Sequence, residues 1–125
     1  MKIHPNKNIT KKGGQEKAME AKNDTINKLK SFEALFRNGY KSQVVDQALN
    51  KLAALELAKA RRELNEIEAR IGELEIKYNM QSDDFAQKFH AGSVGDSADF
   101  IEWISFIDMQ TAILDRIQSL DNISE

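Results

Sequence analysis

Leu57, Ala60, Leu64, Ile67, Ile71, Leu74 and Tyr78 recur at alternating steps of three and four through a stretch otherwise rich in Lys, Arg and Glu. That spacing keeps one narrow apolar stripe on a helix and predicts a coiled coil or helical hairpin, because such a stripe is buried only against another helix. The polar positions between the stripe residues give pairs four apart in the favourable order, Glu66 to Arg70 and Glu73 to Lys77, each worth about 0.3 kcal/mol on a helix surface. Gly72 breaks the pattern and predicts a close approach by another backbone, at about 1 kcal/mol of helix propensity.

Extending the pattern in both directions predicts four helices, over about 25–37, 42–78, 83–90 and 97–120. Asp24 is placed to cap the first, whose apolar residues are Ile26, Leu29, Phe32, Leu35 and Phe36, and Asn38-Gly39 ends it. Ser42 is placed to cap the second, which carries Val44, Val45, Leu49 and Leu52 ahead of the heptad stripe. Ser82 is placed to cap the third, with Phe85 and Phe89 four apart on one side, and Gly92 and Gly95 bracket the next turn. Asp96-Ser97-Ala98-Asp99 has the form of a helix start, an acceptor followed three residues later by a carboxylate. The last helix carries Phe100, Trp103, Ile107, Leu114, Ile117 and Leu120, widened by Phe106 and Ile113.

The expected fold is therefore all-α: a long antiparallel hairpin of the second and fourth helices with coiled-coil character, clamped by the short third helix. The hairpin or oligomer seam is Leu57, Leu64, Ile67, Ile71, Leu74 and Tyr78. At about 1.5 Å per residue the last helix is roughly 36 Å long and reaches back along the second only to about Ala54. Val44, Val45, Leu49 and Leu52 then need cover from the first helix or from a second subunit, which predicts a three-helix or homodimeric arrangement.

Composition narrows the function. The chain has 125 residues, one proline, no cysteine and 30% charged residues, as expected of one helical domain over 24–121 with a short tail at 122–125. Without cysteine there are no disulfides, thiolate zinc sites or cysteine nucleophiles. No apolar run is long enough to span a membrane, and no leader is recognisable, so a cytoplasmic protein is expected. The net charge of −2 conceals an asymmetry: residues 1–22 hold six lysines against Glu16 and Glu20, while the remainder is acidic. The segment 1–23 reads as a flexible basic arm, the one part of the chain suited to nucleic acid.

Catalytic patterns are missing. His4 and His90 have no second histidine at ligand spacing, there is no phosphate loop or nucleophile elbow, and Asp96-Ser97-Ala98-Asp99-Phe100 does not match a calcium loop. No metal, cofactor or enzymatic activity is expected. Asp96, Asp99 and Glu102 recur every three residues, which suits a helix start; the same acids beside Trp103, Phe85 and Phe89 also form a candidate surface for a basic protein. On spacing alone those aromatics fit a core as readily as an interface.

A set of residues carries a family resemblance. Gly39-Tyr40-Lys41-Ser42-Gln43-Val44-Val45-Asp46-Gln47-Ala48-Leu49-Asn50-Lys51-Leu52, Glu56, Tyr78-Asn79-Met80-Gln81-Ser82, Phe85, Phe89, Gly92-Ser93-Val94-Gly95-Asp96, Asp99, Phe100, Glu102 and Trp103 together resemble small helical antitoxin-like proteins of prokaryotic two-gene toxin–antitoxin modules. The resemblance spans about 32–120. It implies a cytoplasmic protein that binds and neutralises a small toxin of nuclease or nucleotide-modifying type. The alternative from the residues themselves is a homodimeric coiled-coil scaffold or adaptor.

Overall fold

The computed structural model describes the backbone of residues 9–123 and the side chains of residues 23–123. Residues 1–8 of the expected basic arm lie outside the described residues. Four helices and no strand occur among the described residues: α1 (Ile9–Arg37), α2 (Gln43–Tyr78), α3 (Ser82–His90) and α4 (Ala98–Ile123). The chain divides into two compact units, Met1–Ser42 and Gln43–Glu125.

In the first unit α1 starts at Ile9, well before the start expected near Asp24. Lys11-Lys12-Gly13-Gly14 is thus helical, and so is most of the segment expected as an arm. Two glycines cost about 2 kcal/mol of helix propensity, a local penalty that does not prevent extension of an established helix. The helix ends where expected. Gly39, at φ +100°, lets its own N–H donate to the Phe36 carbonyl at 3.0 Å and that of Tyr40 to the Leu35 carbonyl at 3.0 Å. This paired closure satisfies carbonyls that a helix C-terminus otherwise leaves open.

In the second unit the long α2 packs against α4 as an antiparallel hairpin. Ion pairs and hydrogen bonds record the register: Lys77 to Asp99 at 2.7 Å, Glu68 to Gln110 at 3.1 Å, Glu63 to Arg116 at 2.9 Å and Arg61 to Asp121 at 3.7 Å. The Lys77 ammonium thus reaches across the hairpin, where the sequence pattern suggested a bond to Glu73 on its own helix. Every position of the heptad stripe is shielded, with Leu57, Ala60, Ile71 and Leu74 buried and Leu64, Ile67 and Tyr78 partly so. Ile113 and Trp103 are the buried residues of α4.

Gly72 carries no close contact: a Cβ built there meets nothing within 4 Å, so the expected backbone approach does not occur.

Two further closures repeat the chemistry at Gly39. Asn79, at φ +50°, ends α2 with Met80 donating to the Glu75 carbonyl at 3.1 Å. Gly92, at φ +76°, ends α3 with Ser93 donating to the Lys88 carbonyl at 2.8 Å. Asparagine tolerates the left-handed region because its short polar side chain bonds locally.

Candidate partner-binding surface

The closed end of the hairpin gathers most of the residues singled out from the sequence. Phe85 and Trp103 are fully buried and, with Leu74, form the centre of the core, surrounded by Tyr78, Phe89 and Phe100 among others. The Phe85 and Trp103 rings stack at 3.9 Å and 4°, and Tyr78 lies near-parallel to Trp103 at 5.9 Å. Phe89 and Phe100 pack on Phe85 at 5.7 and 5.3 Å. Phe85 and Trp103 therefore cannot serve as anchors for a partner, and Phe89 is largely committed to the same cluster. The reason is placement: α3 lays its apolar side on α4, so both aromatic rows meet each other and not solvent.

Ser82 has a different role from the cap expected of it. It is the first residue of α3, and its hydroxyl accepts the Trp103 indole N–H at 3.0 Å, while its backbone N–H donates to the Glu75 carboxylate at 2.9 Å. One serine thereby satisfies the single polar group of a buried tryptophan. Gln81, the residue before the helix, makes no capping bond with its side chain.

The helix start at 96–99 is shifted by one. Ser97 is the cap, its hydroxyl accepting the Phe100 N–H at 3.3 Å and its carbonyl the Ile101 N–H at 2.9 Å. Asp99 is freed from capping and accepts the Lys77 ammonium at 2.7 Å and the Tyr78 hydroxyl at 2.6 Å. These two donors hold its carboxyl below the ordinary carboxylate range. Hydrogen bonding to Asp99 in turn raises both Lys77 and Tyr78 above their usual values. Asp99 is thus a tie between the two helices, whereas Asp96 and Glu102 are exposed.

A surface not anticipated from the sequence lies on the outer side of α4. Ile101, Glu102, Asp108, Met109 and Ala112 are all exposed, and their spacing of seven, eight and eleven places them on one helix face. Met109 and Ala112 line a groove of about 330 Å³ together with Ile67, Ile113, Glu63, Glu66 and Arg116. The signal was present in the sequence, since α4 is apolar on more than the one side a hairpin requires. Among the described residues no group of His, Cys, Asp and Glu is arranged to hold a metal ion, and no helix is long and apolar enough to cross a membrane.

Fold and site define an all-α protein built on a helical hairpin, with exposed apolar residues suited to a protein partner. Comparison of the chain with family models, curated proteins and solved structures finds no match.

Proposed function

We propose that the chain is a helical interaction module that binds and neutralises a small basic protein, in the manner of the antitoxin-like proteins it resembles, and that it acts as a dimer. The observation supporting this most directly is the outer face of α4. Ile101 and Met109 are each 47% exposed, flanked by Glu102 and Asp108 and close in sequence to Asp96. Exposed aliphatic anchors with carboxylates beside them suit a partner whose own surface is basic, as a nucleic-acid-binding groove is. The hairpin supplies rigidity, so the face is presented without ordering on contact.

The test is to look for an adjoining reading frame that encodes a small basic protein and to co-express its product with this chain; the absence of such a frame would itself count against the reading. The reading requires that the neighbour alone arrests growth and that this chain relieves the arrest, whereas Asp96→Lys with Glu102→Lys relieves it poorly. Arrest that persists beside abundant wild-type chain would contradict the inhibitor reading. Relief unaffected by the double reversal would move the contact off this face.

A further inference from the structure

We propose that the side of the hairpin bearing Met109 is a channel that receives an amphipathic helix with basic flanks from the partner, completing a three-helix bundle. This names the partner element for the reading above and rests on it.

The channel is bounded by two ridges. On α2, Glu63, Glu66, Arg70, Glu73 and Lys77 follow one another at alternating steps of three and four, and on α4 Glu102, Phe106, Met109, Ile113 and Arg116 do so at steps of four and three. Each series stays on one helix face. The concavities of about 330 and 210 Å³ that these residues line are therefore successive parts of one channel between the two helices. All of its lining belongs to the second unit. Each ridge is about 21 Å long, or about four turns, so the two match. The apolar lining is Ile67, Met109, Ala112 and Ile113 at one end and Leu74 and Phe106 at the other. Ile113 and Leu74 are buried, while Met109 and Ala112 remain exposed and open to contact.

Geometry selects a helix as the occupant. Both ridges lie within helices, whose backbone hydrogen bonds are made internally, so no row of N–H and C=O groups is offered for a strand to pair with. A helix satisfies its own backbone and lays apolar residues spaced three and four apart into such a channel.

Charge selects its sign. The two concavities are lined by five carboxylates and three cations. Two of the cations are committed, Lys77 to Asp99 at 2.7 Å and Arg116 to Glu63 at 2.9 Å. Glu66, Glu73 and Glu102, all exposed, are left against Arg70. Lysines or arginines flanking the apolar stripe of the incoming helix meet that excess, whereas an acidic helix is repelled. A second copy of the hairpin would set the same acids against themselves, so this channel does not suit self-pairing.

The experiment is selection against the full-length chain of phage-displayed peptides of about 16 residues, long enough for about four helical turns, randomised at every position. Enriched peptides are then made synthetically and measured by fluorescence anisotropy and circular dichroism. They should carry apolar residues three and four apart flanked by Lys or Arg and gain helicity on binding. They should bind at least tenfold more weakly to Met109→Asp and to Glu66→Lys with Glu102→Lys. All three positions are exposed, so both variants should keep the circular dichroism of the wild type. No enrichment, peptides bound in an extended form or with acidic flanks, or equal binding to wild type and variants would overturn the channel assignment while leaving capture of a basic protein elsewhere on α4 standing. Peptide binding as expected, beside a failure to relieve growth arrest by a basic neighbour, would overturn the inhibitor reading alone.

Discussion

Trp103 shows how one side chain can organise a small core. Its ring is fully buried against Phe85, and its only polar atom is satisfied by Ser82. Removing the ring in Trp103→Ala should cost about 3–5 kcal/mol, a figure set by lost transfer energy and an unfilled cavity. Ser82→Ala leaves the ring in place but orphans a buried N–H, for about 1–3 kcal/mol; urea unfolding of both variants would rank them in that order. The neighbouring tie at Asp99 sets a pH dependence. Its lowered carboxyl contributes stability that is complete above the ordinary carboxylate pKa of about 4 and is lost as pH falls through the folded value. Lys77 and Tyr78 are raised, so their contribution is complete below about pH 10 and disappears as pH rises through their folded values. Melting temperatures of wild type and Asp99→Asn should accordingly differ at neutral pH and converge in acid. A difference that persisted at acid pH would assign the effect to something other than this carboxylate.

The elements were legible in the sequence to different degrees, and the reasons are physical. The heptad stripe demanded a helical partner, and Asn38-Gly39 and Gly92 marked helix ends because few residues other than glycine enter the left-handed region without penalty. What spacing could not provide was the side on which α3 would fall, and that alone decides whether Phe85 and Trp103 are core or surface. Ser82 and Asp99 misled for a related reason: each was assigned the local backbone bond its residue type favours, and each instead serves a group brought near by the fold. The start of α1 was placed late because Gly13-Gly14 weakens a helix without forbidding it. Two substitutions test the element scale. Ile71→Asp buries a charge in the intramolecular seam and should cost about 3 kcal/mol or more, read as loss of helicity rather than as clean subunit dissociation. Gly72→Ala, with open space at its Cβ, should stabilise the hairpin by about 1 kcal/mol in thermal unfolding.

At the scale of the molecule, the buried core and the exposed apolar residues occupy different parts of the chain. The aromatic cluster and the seam lock α2, α3 and α4 together, and among the described residues the exposed large apolar side chains lie on α1 and the connector after it, on the first third of α2, at Ile76 near its end, and on α4. Exposed apolar surface concentrated in this way marks interaction sites in soluble proteins. The central claim is that the acidic and aliphatic face of α4 engages a basic protein. It is tested most directly by titration calorimetry of the purified chain against the small basic protein that the reading predicts from an adjoining reading frame, for wild type and for Asp96→Lys with Glu102→Lys. Saturable binding that weakens at least tenfold in the double variant, with helicity unchanged, is the predicted result. Absence of binding by the wild-type chain, or equal affinity for both forms, would contradict it.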